Sequence, residues 1–234
     1  MTESPPAPAR TRFRRPLLVV AIVLAAIAAG LTWLTVGDSV GCAAETPAIF
    51  ARLYHISSAS MEPGIEQGDW LWAERRTYCG RDPERGDIAV LALPSRPRTV
   101  LVKRVIGLPG DRVQIQKGQL YLNGEPVRRD WLESAIHADE SGEAAHRTRF
   151  TETLPNGTAY TVEVANSDGP LENTEEVTVP EGRYFLLGDN RDHSEDSRTA
   201  DVGLVPRASI ADRPVRVLWS GDRSRIGLPL TAHR

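Results

Sequence analysis

Cysteine and histidine are scarce in this chain of 234 residues: there are two cysteines, Cys42 and Cys79, and five scattered histidines. Two cysteines cannot build a disulfide-dense small fold. No CxxC pair or Cys/His cluster offers the ligand spacing of a zinc site, so neither a metal nor any other cofactor is expected. Aromatic residues make up 6% and the formal net charge is -3. A balance this close to neutral provides no basic surface for nucleic acid, so no nucleic-acid partner is expected, and no acidic excess of the kind that keeps a chain disordered. No internal repeat is visible, and outside one apolar run near the N-terminus no long segment carries helical periodicity.

That apolar run is the first positive feature. Pro16–Val36, PLLVVAIVLAAIAAGLTWLTV, holds no charge over about 21 residues. At ~1.5 Å rise per residue it is long enough for a ~30 Å hydrocarbon layer. Arg10, Arg12, Arg14 and Arg15 precede it, and Asp38 and Glu45 follow it. The positive-inside rule then leaves the basic tail 1–15 in the cytoplasm, makes 16–36 a single transmembrane helix, and puts a linker 37–51 and a domain 52–234 outside. A cleaved signal peptide normally has a shorter apolar core. A lipoprotein signal ending at Cys42 lacks leucine at the third position before the cysteine. The expected location is therefore the cell membrane, with a lipid bilayer as partner.

The outer domain is a succession of short apolar runs punctuated by Gly and Pro, and its expected class is mostly β. Tyr54–Ile56, Asp69–Ala73, Ile88–Leu93, Val100–Leu108, Val113–Gln116, Gln119–Leu122, Tyr160–Val164, Tyr184–Leu187 and Val215–Trp219 have the length and composition of strands. Lys117-Gly118 and Asn123-Gly124 mark tight turns. The polar stretch from about 129 to 176 reads as an inserted loop or small cap that interrupts the sheet.

Three segments carry candidate chemistry. Ser57-Ser58-Ala59-Ser60-Met61-Glu62-Pro63-Gly64 is a serine-rich turn after a strand, able to expose a hydroxyl beside backbone N–H groups, although most such turns are only turns. Lys103 interrupts the apolar run Val100–Ile106. It is either a gatekeeper on a sheet edge or an amine pointing into an apolar pocket, where burial would lower its pKa. Gly188–Arg198, GDNRDHSEDSR, is dense in short polar groups but lacks the spacing of a calcium loop, and Asp196 and Arg198 can pair within it.

Taken in order, these segments resemble the boxes of the bacterial type I signal peptidases. Ser58–Pro63 resembles the nucleophile motif, Gly86–Val90 the second box, Lys103–Asp111 the lysine box and Gly188–Arg198 the last box. Gly64 departs from the threonine often found there, and the stretch 129–176 is not covered. The resemblance implies a serine endopeptidase with Ser60 as nucleophile and Lys103 as general base, and the Ser58 hydroxyl and Ser60 N–H as oxyanion hole. It implies Ser194 as the residue that orients the lysine, and Asp196, Arg198 and Arg104 as a supporting ion-pair network. Ile56, Met61, Ile65 and Val102 resemble pocket residues, which can equally be ordinary core. Trp219 resembles a tryptophan at the membrane surface, and His193 has no part in the chemistry. The implied substrates are signal peptides of exported preproteins, cut after small residues, and the implied neighbour is the secretion translocon. Alternatives are a peptidase for conjugative pilin, a self-cleaving repressor, which the anchor and the lack of a DNA-binding segment disfavour, and an inactive peptide-binding β domain. A Cys42–Cys79 bridge is also an expectation, since both residues lie outside the cytoplasm on this topology.

Overall fold

The computed structural model describes residues 51–75, 77–96, 98–138, 144–165 and 169–230. The expected transmembrane helix and Cys42, and with it the expected disulfide, lie outside the described residues. Among the described residues no helix is long and apolar enough to cross a membrane.

The strands are β1 (Ala51–His55), β2 (Trp70–Arg75), β3 (Ile88–Ala92), β4 (Val100–Gly107), β5 (Arg112–Gln116), β6 (Gln119–Leu122) and β7 (Glu125–Pro126). They continue with β8 (Arg128–Ala138), β9 (Ala144–Thr153), β10 (Ala159–Val164), β11 (Val177–Thr178), β12 (Arg183–Leu187), β13 (Val205–Pro206) and β14 (Ile210–Trp219). A seven-stranded sheet runs in the order β1-β2-β14-β3-β4-β12-β13, beside a four-stranded sheet β11-β5-β6-β7 and a three-stranded sheet β10-β9-β8. Turn chemistry fixes the small sheet locally. Lys117 and Gly118 have φ of 49° and 73°, and Asn123 and Gly124 have 56° and 87°. Paired left-handed residues of this kind match the twist of a two-residue hairpin.

The stretch 129–176, expected as an inserted loop or small cap, is largely regular structure. Most of it is the three-stranded antiparallel sheet, with the long hairpin β8–β9 paired from Arg128↔Thr153 to Ala138↔Ala144 and its register shifted once by a bulge between Trp131 and Glu133. Polar residues dominate these strands because much of the sheet meets solvent or buried charge, so period-two hydrophobicity is weak there. Its inner end still joins the core: Leu154, Tyr160 and Val162 pack with Ile106, Leu187 and the β5–β6 hairpin. A second cluster gathers Ala89, Leu91, Val105, Leu186, Val205 and Ile210 around β3, β4 and β12. A third, of Ile56, Met61, Ile65, Leu71, Ile88 and Val217, lies around the serine-rich turn, with Val102 packed against it.

One face at the end of the large sheet remains apolar and open. Leu53 on β1 stands opposite Trp72 on β2, and Trp70 stands opposite Trp219 on β14. All four are at least 40% exposed, and Trp219, at 53%, is not a core residue.

Candidate active site

Strand alternation places Lys103 and Arg104 on opposite faces of β4. Both faces are covered at this point, and both side chains are buried, at 3% and 4% exposure. Lys103 pairs in register with Ala89 on β3, a small neighbour with little bulk beside the lysine stem, and Arg104 pairs with Ile88. Lys103 is therefore not an edge gatekeeper.

Ser60 opens the turn that follows β1 and is itself buried. Lys103 Nζ donates to Ser60 Oγ at 2.7 Å. Burial pulls the lysine pKa from the ordinary 10.5 down to about 8, against the opposing pull of Asp196, Asp189 and Glu195. The exposed Ser58 hydroxyl lies 3.2 Å from Ser60 Oγ. A hydroxyl in contact with an amine that loses its proton near neutrality is equipped for general-base activation, and the exposed Ser58 hydroxyl supplies an adjacent donor. His193, exposed in the last box, makes no hydrogen bond to Ser60 or Lys103.

The Gly188–Arg198 loop closes over this pair. Asn190 N–H donates to the Ser60 carbonyl at 3.2 Å. A Cβ on Gly188 would collide with the Ser194 side chain and the Ser60 carbonyl, so only glycine fits between them. Ser194 is buried against this corner, but its hydroxyl does not bond Lys103. It has no well-formed hydrogen-bond partner, although it lies close enough to Asp196 to favour the ionised carboxylate. Of the two expected partners, the lysine hydrogen-bonds only Ser60.

The expected ion-pair network is two separate pairs. Arg198 grips Asp196 through Nε at 2.9 Å and Nη2 at 2.8 Å, and Gly188 N–H donates to the same carboxylate at 3.0 Å. Burial opposes ionisation of Asp196, but Arg198 and these donors outweigh it and hold its pKa below the usual carboxylate value. Arg104 instead grips Asp189 in a bidentate pair at 2.8 and 2.6 Å, donates to the Gly86 carbonyl at 2.9 Å, and lies 4.2 Å over the Tyr160 ring. The second box thus receives Arg104. The role of Asp189 was not singled out from sequence, although it sits inside the last box.

Of the expected pocket residues, Ile56, Met61 and Ile65 are buried in the cluster around the turn, with Met61 and Ile65 at 1% and 0% exposure. Those two offer almost no surface to a ligand and shape the turn from beneath. Val102 is half-buried and keeps an accessible side.

A family profile described as signal peptidase, peptidase S26, matches residues 18–219. The chain is similar to a signal peptidase I of Rickettsia bellii, 42% identical over 144 residues, which are 59% of this chain and 48% of that protein. It is also similar to one of Rickettsia felis, 42% identical over 179 residues, 65% of each chain. The chain therefore spans about half to two thirds of the length of these relatives. The crystal structure of a signal peptidase I from Enterococcus faecalis is 31% identical, covering 56% of this chain and 94% of that one, with a TM-score of 0.33.

Proposed function

The chain belongs to the signal peptidase family, peptidase S26, and on that premise we propose that it is a membrane-anchored serine endopeptidase that removes signal peptides from exported preproteins, with Ser60 as nucleophile and Lys103 as general base. The observation that carries this reading is the 2.7 Å contact between the buried Lys103 amine and Ser60 Oγ.

The neutral amine takes the Ser60 proton as Oγ attacks the scissile carbonyl carbon. The Ser58 hydroxyl and Ser60 N–H face the developing oxyanion. Collapse of the tetrahedral intermediate breaks the C–N bond, and the Lys103 ammonium returns its proton to the departing amine. Water, deprotonated by the same amine, then releases the signal peptide from the serine ester. Substrate enters as an added strand. β12 pairs with β4 only from Arg104 onward, so the Val100–Lys103 half of β4 has its other edge available beside the active serine. Small residues before the cut suit a shallow surface of which Val102 is the accessible part.

Residues 16–36 form the membrane anchor in this reading. The open face of Leu53, Trp70, Trp72 and Trp219 supports contact of the domain with the bilayer interface, where tryptophan is favoured. The test is cleavage of a preprotein by the detergent-solubilised full chain, with N-terminal sequencing of the product. A new N-terminus after a small residue, absent with Ser60→Ala, is expected. An intact preprotein, or cleavage that survives Ser60→Ala, overturns the proposal.

A further inference from the structure

The three-stranded sheet is outside the segments that carry the family resemblance, yet it holds two fully or nearly fully buried carboxylates, Glu152 at 0% and Glu163 at 2% exposure. Glu152, on β9, accepts from Arg191 Nη1 at 3.1 Å and Nη2 at 2.5 Å. It also accepts from Arg129 Nε at 3.1 Å and Nη2 at 2.6 Å, and from the Tyr160 hydroxyl at 2.8 Å. Burial opposes its ionisation, but Arg191 and Arg129 outweigh that and hold its pKa at about 2, so it is a carboxylate under all working conditions.

The two ends of this cluster reach the reacting pair by short routes. Arg191 Nε donates to the Gly188 carbonyl at 3.1 Å, and its own carbonyl accepts from Arg198 Nη2 at 2.6 Å. The preceding residue, Asn190, is the one whose N–H holds the Ser60 carbonyl. At the other end the Tyr160 ring lies under Arg104, the chain neighbour of Lys103. The backbone adds a second seam: Glu163 N–H donates to the Asp189 carbonyl and Arg191 N–H to the Glu163 carbonyl, each at 2.9 Å.

We propose that Glu152 is a positioning residue for catalysis: through Arg191 and Tyr160 it locks the Gly188–Arg191 loop, and with it Ser60, in register with Lys103. This gives the three-stranded sheet a function as the outer brace of the active site. The proposal rests on the Ser60–Lys103 reading. Glu152 touches neither residue, so its removal acts on geometry and not on substrate contacts. Misplacing reacting groups by about 1 Å costs up to ~10²-fold in rate.

The experiment compares Glu152→Gln, Tyr160→Phe and Leu120→Ala with the unaltered full chain in detergent, measuring thermal midpoint, kcat and KM on one preprotein. Leu120 is fully buried in the β5–β6 hairpin, in the same core as Tyr160, but its apolar side chain takes no part in the Glu152 hydrogen bonds, and it serves as a destabilised control. For folded Glu152→Gln, a ~10–100-fold fall in kcat with KM within ~2-fold is expected. Tyr160→Phe, which removes one hydroxyl and keeps the ring, is expected to lose ~3–10-fold in kcat. Leu120→Ala is expected to keep kcat while its midpoint falls. Unchanged kcat in Glu152→Gln, or a loss no larger than that of Leu120→Ala at a similar midpoint, overturns the proposal. Should Glu152→Gln not fold, Tyr160→Phe decides, and unchanged kcat there overturns it. Ser60→Ala run alongside separates the two levels: cleavage surviving that change removes the dyad reading itself, whereas its loss together with an unaffected Glu152→Gln removes only the positioning role.

Discussion

Lys103→Met should abolish cleavage and at the same time stabilise the folded domain at pH 7. Folding carries the lysine pKa from 10.5 to about 8, and at ~1.4 kcal/mol per pH unit this corresponds to a penalty of about 3 kcal/mol for a charged amine in that site. Methionine has a similar length and no charge. It forfeits the hydrogen bond to Ser60, worth ~1 kcal/mol, so the net gain at pH 7 is about 2 kcal/mol. The sign with pH follows from linkage. The folded pKa lies below the unfolded one, so between about 8 and 10.5 the unfolded chain binds more protons and the unaltered protein gains stability as pH rises. The methionine variant lacks that gain. Its advantage should therefore be full below pH 8, shrink by about 2 kcal/mol by roughly pH 9.5, and nearly vanish there.

The assay is urea unfolding of both full chains in the same detergent, followed by tryptophan fluorescence at pH 7 and pH 9.5. Other titrating groups are common to both and cancel in the difference. A methionine variant that is less stable at pH 7, with a gap that does not move with pH, would refute the claim that Lys103 is desolvated and can serve as a neutral base. The catalytic counterpart is a kcat/KM profile that rises through an apparent pKa of about 8, with about one amine in ten already neutral at pH 7.

Ser60→Ala should leave the fold intact and remove turnover, whereas Ser58→Ala should keep a residual rate ~10²–10³-fold below normal, the usual cost of one oxyanion donor; single-turnover cleavage of a preprotein measures both. Gly188→Ala should fold yet lose activity, because the added Cβ must displace either the Ser194 side chain or the Ser60 carbonyl; thermal melting alongside the cleavage assay separates the two effects. Replacing Trp70, Trp72 and Trp219 together by serine should slow cleavage of a preprotein by the full chain reconstituted in lipid vesicles while sparing cleavage of a short soluble peptide in detergent, and an unchanged rate in vesicles would remove the bilayer role of that face.

Much of the fold was legible because its strands are short, apolar and bounded by turn residues. Gln119–Leu122 is bounded as read from the sequence, and the paired left-handed residues at 117–118 follow from the Lys-Gly pair. The long hairpin β8–β9 was not legible. A strand such as AAHRTRFTET has no apolar alternation, and its buried charge is matched by residues distant in sequence, such as Arg191 for Glu152. The serine, the lysine and the Asp196–Arg198 pair could be named from their motifs, but the partner of Arg104 could not. Arg104 and Asp196 look like members of one network in the sequence, yet Arg104 turns to Asp189 because it lies on the opposite face of β4 from Lys103. Ser194 sits in the corner expected of it, but whether its hydroxyl reaches the amine depends on a rotamer that no spacing encodes.

The charge arrangement around Lys103 shows how so many arginines fit a site whose proposed base is an uncharged amine. Asp196, Asp189 and Glu195 each favour the protonated lysine. Three unopposed carboxylates would hold the amine charged and useless as a base. Each carboxylate, however, has its own guanidinium in bidentate contact: Arg198 on Asp196, Arg104 on Asp189 and Arg96 on Glu195. A paired carboxylate acts at a distance as a dipole, whose field falls off faster than that of a bare charge. The carboxylates can then order the loop through N–H contacts such as Gly188 to Asp196 without overriding desolvation at the lysine. The third pair is the weakest of these screens, because Arg96 and Glu195 are both substantially exposed and solvent already attenuates them. The two buried pairs therefore carry the task, and they are the two that sit beside Lys103 and on the loop that holds the Ser60 carbonyl.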